Sequence, residues 1–144
     1  MPNLSNFTLI NTVKSATTAA GSTPLESSVI DMAGYEGVII FTRFATAAAD
    51  NILSAKMSTA NDTAAMSPIS GSAVALAGAS DENQWLDIYR PKMRYVQALA
   101  TRATSTKLGE IWAIQYGGRK LPEDNTTTGT IAGEISVSAS TGTA

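Results

Sequence analysis

The side chains that most often carry catalysis are missing from this sequence, which has no histidine and no cysteine. No imidazole is available to activate a serine, and thiolate nucleophiles and thiolate metal sites are excluded. Carboxylates remain. Asp81-Glu82 and Glu123-Asp124 are neighbours on polar, turn-prone stretches. Adjacent carboxylates point apart, whereas a glycosidase needs two held across a cleft. Asp31, Glu36, Asp50 and Asp62 could converge on Ca²⁺ or Mg²⁺, but no loop has the carboxylate spacing of an EF-hand. The run Gly117-Gly118-Arg119-Lys120 is superficially like the end of a phosphate-binding loop. It lacks the second glycine and the hydroxyl, and it follows a strand, so it reads as a strand exit. These readings predict no enzyme activity, no cofactor and no metal.

Two further groups of residues are suited to binding. Trp85, Trp112 and the tyrosines at 35, 89, 95 and 116 have the rings of a sugar platform. Aromatic residues in strands more often belong to a core, and the core is where they are expected. Arg90, Lys92, Arg94 and Arg102 gather in sequence around Pro91. They suit either ion pairing at strand ends, with Asp87 and Glu110 as partners, or a subunit contact, where arginine is favoured.

Charge narrows the partners. Ten Lys and Arg against twelve Asp and Glu leave a net charge of −2, without a block of like charge. That balance excludes a binder held to nucleic acid by phosphate contacts. Charged residues make up only 15% of the chain, with Ala, Thr and Ser filling much of the rest, which suits a surface lying against other protein. The residues from Met1 to Thr12 show no basic region followed by an apolar run, so no signal peptide is expected. No apolar stretch is long enough to span a membrane, and synthesis in the cytoplasm is expected.

The elements that would position these residues are strands. Asn6–Val13 alternates, with Phe7, Leu9 and Val13 on one face. Ser28–Met32 is a short strand. Val38–Phe44 is β-branched and aromatic on both faces, which predicts a central strand. Asn51–Ser58 places Ile52 and Met57 on opposite faces, implying a bulge or burial on both sides. Ala73–Ala77 and Gln84–Tyr89 follow, the latter stopped by Pro91, which should hold Arg90 extended. Met93–Ala103 and Lys107–Tyr116 read as a hairpin joined by Thr104–Thr106. Alanine also permits helix at 45–56 and 64–77. The spacing of the strands predicts an all-β chain: an antiparallel β-sandwich, jelly-roll-like, over residues 1–120. The expected core is Phe7, Val38, Ile40, Phe44, Leu86, Ile88, Val96, Leu99, Trp112 and Ile114. Residues 121–144 carry no Lys, Arg or aromatic residue and are predicted to form an extended C-terminal arm. Ile131, Ile135 and Val137 share one parity there and are candidates for adding a strand to a neighbour's sheet.

Three stretches taken together resemble a known group: Ile30–Phe41 (IDMAGYEGVIIF), Leu86–Val96 (LDIYRPKMRYV) and Glu110–Lys120 (EIWAIQYGGRK). They are similar to small structural, decoration- or cement-like proteins of tailed bacteriophages. The resemblance spans roughly residues 28–144 and implies a virion component that binds the major capsid protein at the capsid surface as a homotrimer. It brings no catalytic residues and implies no direct contact with nucleic acid or membrane. Interface candidates are Arg90, Arg94 and Arg102 with Ile131, Ile135 and Val137. A tail or neck protein, and a virion-surface receptor- or sugar-binding module, are the alternatives.

Overall fold

The structure is a computed structural model that describes residues 4–45, 50–76, 81–103, 105–119, 125 and 131–133. Its strands are β1 (Thr8–Lys14), β2 (Leu25–Glu26), β3 (Ile30–Asp31), β4 (Gly37–Ala45), β5 (Ile52–Ser58), β6 (Ser67–Pro68), β7 (Val74–Ala75), β8 (Asn83–Tyr89), β9 (Tyr95–Thr101), β10 (Lys107–Leu108) and β11 (Ile111–Tyr116). Short 3₁₀ turns cover Leu4–Phe7 and Thr63–Ala65, and there is no α-helix among the described residues. All strand pairs are antiparallel. Within 45–56, where helix was the alternative, residues 52–56 are strand, because alternate side chains meet the core.

The strands form two sheets. The first runs β1-β11-β4-β8, with β10 continuing β11 along the same edge of β4. In the second, β9 and β5 are central, β2 and β3 line the outer edge of β9, and β6 and β7 line that of β5. Counting β2 with β3, β6 with β7 and β10 with β11 as interrupted single strands gives the order 1-8-3-6 in one sheet and 2-7-4-5 in the other. This is the strand order of a jelly roll, two interlocked Greek keys, and the expected fold class is therefore the one observed.

The expected hairpin of Met93–Ala103 with Lys107–Tyr116 is not formed. β9 pairs with β5 in the second sheet, and β11 pairs with β1 and β4 in the first. Each strand buries one face, and the chain meets that demand by crossing between sheets rather than turning back on itself. The crossing is fastened by a buried polar cluster. Arg102 donates from Nε to the Thr23 carbonyl at 2.8 Å and from Nη1 to the Thr106 carbonyl at 3.1 Å. Asn51 Nδ2 donates to Thr106 Oγ1, and Asn51 Oδ1 accepts from the Ala103 N–H.

The core lies between the sheets. Val38, Ile40 and Phe44 of β4 are buried, with Ile88 of β8, Leu53 and Ala55 of β5, and Val96, Ala98 and Ala100 of β9. From β11 come Ile111, Ala113 and Gln115, so the expected parity of that strand is reversed. Trp112 and Ile114 point outward. The charged Glu110 shares parity with the two outward residues. Leu108 is nevertheless buried, because the register with β4 slips by one residue across Gly109 and Glu110. Three other core expectations also change. Phe7 sits in the first 3₁₀ turn, half-buried, while Leu86 packs at the margin of the core. Leu99 pairs with Ser54 on the outer face of the second sheet.

Of the two expectations for β5, a bulge or burial on both sides, the bulge is absent: Leu53, Ala55 and Met57 face inward and the half-buried Ile52 outward. The gaps in the edge strands of this sheet are patched by serines. Ser27 Oγ accepts from the Ala98 N–H, and Ser72 Oγ accepts from the Ala55 N–H. Ala55 and Ala98 are themselves cross-strand partners, so both patches lie in one row of the sheet.

Candidate binding surface

The register of the first sheet determines which side chains share its outer face. One row reads Thr12, Trp112, Phe41, Trp85 across β1, β11, β4 and β8. The next reads Ile10, Ile114, Ile39, Asp87, and the third Thr8, Tyr116, Gly37, Tyr89. Phe41 and Trp112 stack with centroids 6.1 Å apart. Trp85 is 65% exposed and Tyr89 58%. The expected place of the aromatic residues is thus corrected: none of the two tryptophans or the tyrosines 35, 89, 95 and 116 belongs to the buried core, and four of the six lie on this face. From β1 to β8 the rows span about 15 Å and the three together about 14 Å.

Gly37 shapes the third row. A Cβ there would lie 2.2 Å from the ring of Tyr116. Its absence lets Tyr116 lie across β4, so that its hydroxyl donates to Asp87 Oδ1 on β8 at 2.7 Å. Burial, then that bond to a carboxylate, push the Tyr116 phenol well above its usual range.

The arginines lie beyond the third row. Arg90 has φ +49°, in the left-handed region, so the extended conformation expected before Pro91 is not adopted. It is held by its N–H donating to the Glu36 carbonyl at 2.7 Å, and its guanidinium lies over Tyr89 and 3.5 Å from Glu36. Arg94 makes a two-pronged pair with Asp31, at 2.8 and 2.7 Å. The guanidinium beside Asp31 holds its carboxyl below the usual carboxylate range. The partners are therefore Glu36 and Asp31 rather than Asp87 and Glu110. Arg90, Lys92 and Arg94 share a groove of about 420 Å³ with Arg119, a cation distant in sequence and carried there by its N–H donating to the Gly34 carbonyl.

The remaining candidates are dispersed. Arg102 is 9% exposed and occupied internally, far from the role of an interface arginine. Ile131 is 8% exposed and buried on the chain's own body, while Ile135 and Val137 lie outside the described residues. Most of the predicted arm, 121–144, also lies outside them, but Asn125 docks on β1. Its Oδ1 accepts from the Ile10 N–H, and its Nδ2 donates to the carbonyls of Ser5 and Thr8. Among the described residues no three carboxylates gather as a cation site, and no helix is long and apolar enough to cross a membrane.

No family model and no curated protein matches the chain. Among solved structures it is similar to the coat protein of Tobacco streak virus, at 11% identity and a TM-score of 0.37, over 89% of this chain and 96% of that one. The jelly-roll assignment stands on the strand order of the chain itself. The outer face of the first sheet was missed because Val38–Phe44, apolar on both sides, reads as a strand buried on both. That same pattern was the available signal.

Proposed function

We propose that this chain is a non-catalytic structural protein of a tailed-phage virion, which decorates or cements the capsid by binding the major capsid protein. The observation that carries the reading is the outer face of the first sheet. A contiguous aromatic and apolar surface, rimmed by charge, marks a place where protein meets protein. The sequence resemblance supplies the partner. With its side chains the face offers roughly 400 Å², about half of what one partner gives a standard interface. A homotrimer would bring three such faces to one capsid site, and linkage would multiply their modest affinities. Arg90, Lys92, Arg94 and Arg119 would supply the polar rim.

The test is binding to capsids stripped of this protein. Trp85→Ser with Tyr89→Ser should weaken occupancy at least tenfold while the melting curve stays cooperative, since both rings are exposed. Unchanged occupancy would remove the face from the proposal. Copy number in purified particles separates this reading from a tail or neck protein, which would be present in far fewer copies than a cement protein. The alternation Asn83, Trp85, Asp87, Tyr89 on one exposed strand face also suits a sugar, with rings to stack and polar groups between them. Binding to a glycan array that is lost in the same double variant would favour that second reading.

A further inference from the structure

Arg102 is the one charged residue among those described that the fold buries. A cation taken out of water is costly unless an anion or a full set of acceptors meets it. Arg102 has neither. The ion pairs of the described residues belong to Arg43, Lys56, Arg90 and Arg94. The carbonyls of Thr23 and Thr106 take Nε and Nη1. Nη2, the remaining nitrogen of the donor fork, has no acceptor among the described residues. Gly21 leaves room beside it, since a Cβ there would lie 3.0 Å from Nη2.

Arg102 lines a groove of about 760 Å³, bounded by the end of β1, by residues 15–20 and by residues 25–28. That is the size of a small-ligand site. Its walls are pinned in place. The Thr17 N–H donates to the Leu108 carbonyl at 2.8 Å, Gly21 and Thr106 exchange backbone hydrogen bonds at 3.1 and 3.0 Å, and the Ser28 N–H donates to the Val13 carbonyl at 2.9 Å. Lys14 is a second cation on the wall, with no ion-pair partner among the described residues. The one acid lining the groove, Glu26, is paired with Lys56. Thr12, Ser15 and Thr18 bring hydroxyl groups. The groove thus holds unbalanced positive charge in a chain whose net charge is −2.

We infer that this groove binds a carboxylate, one oxygen of which accepts from Arg102 Nη2 while its charge balances the buried guanidinium. A carboxylate suits the site better than a phosphate dianion. One free guanidinium nitrogen and one further cation match a single negative charge, whereas phosphate brings more charge and more acceptor oxygens than these donors can meet. The site is separate from the outer aromatic face and does not rest on the virion reading.

The test is an NMR titration of the full chain with sodium acetate, against sodium chloride at equal ionic strength. Acetate should give saturable shifts at the Arg102 Nε–H and at the amides of residues 14–20, and chloride should not. Arg102→Met should abolish them. Because that variant also loses stability, Gly21→Ala serves as the second: its methyl group crowds Nη2 and should weaken acetate binding about tenfold, the loss of one charge-assisted hydrogen bond, while the melt stays cooperative. A blocked peptide of alanine, glycine and serine with one central glutamate, set against its glutamine counterpart, tells the source of the carboxylate. Glutamate-dependent binding tighter than that of acetate assigns a protein side chain, and weaker binding assigns a free acid. The inference is overturned if acetate acts no differently from chloride, or if the shifts gather at Arg90, Lys92, Arg94 and Arg119 instead. Acetate affinity unchanged in Gly21→Ala, or phosphate binding more tightly than acetate, overturns it equally.

Discussion

Phe41 and Phe44 lie on one strand, three residues apart, and face opposite ways. Phe44 is fully buried between the sheets, whereas Phe41 stacks on Trp112 at the outer surface. Truncating each to alanine removes the same atoms from two environments. Phe44→Ala should cost about 3–5 kcal/mol, because the transfer term is joined by a cavity term of about 24 cal/mol per Å³. An unrelaxed hole on the order of 100 Å³ contributes about 2.4 kcal/mol of that total. At Phe41 water enters the space, so no cavity remains. If about 100 Å² of ring is covered there, the loss is about 2.5 kcal/mol as an upper bound, and about 1.5–2 with a realistic unfolded chain. Urea denaturation at constant m should therefore separate the two variants by about 1 kcal/mol or more, with Phe44→Ala the less stable. Capsid binding should rank them oppositely, Phe41→Ala losing affinity and Phe44→Ala keeping it below its melting transition. Equal losses of stability would refute the placement of the two rings, and with it the assignment of the outer face.

Arg102→Met should lower stability by about 1.5–3 kcal/mol in urea melts, since the buried Thr106 carbonyl and the part-buried Thr23 carbonyl lose a charged donor. Asp31 should titrate below the usual carboxylate value by NMR and return toward it in Arg94→Ala. A lowered folded value means that the stability it links is present above about pH 3.9 and is lost as pH falls through the folded value. Tyr116, raised by burial and by Asp87, has the opposite sign: its contribution is present below about pH 10 and is lost as pH rises through the folded value. Tyr116→Phe should flatten that alkaline loss in melts recorded across the range.

The sequence carried the class of fold because strands announce themselves by period and by punctuation. β4 was legible from its β-branched and aromatic run after Gly37, and β8 from the Pro91 that follows it. The pairing was not. Hairpin logic joins neighbours in sequence, whereas here β9 and β11 go to different sheets, and nothing local in Thr104–Thr106 distinguishes a turn from a crossing. Facing failed where both sides of a strand are apolar. In β11 the large residues attracted the core assignment, although Glu110 on their side and Ala113 on the other pointed to the truth. Of the cations, sequence proximity grouped four, while the fold kept Arg90, Lys92 and Arg94 together, added Arg119 and drew Arg102 inside.

The last strand of the described chain is also an inner strand of its sheet. β11 lies between β1 and β4, and β1 has no other strand partner among the described residues. During synthesis β1 therefore waits for this partner until residue 116 has emerged. Pairing of β1 with β11 spans nearly the whole domain, the kind of closure that slows folding and leaves early chains exposed. The aromatic face is assembled by that same step, since Trp112, Ile114 and Tyr116 arrive only with β11. A truncated or stalled chain thus lacks both the closing strand of the first sheet and the outer aromatic surface.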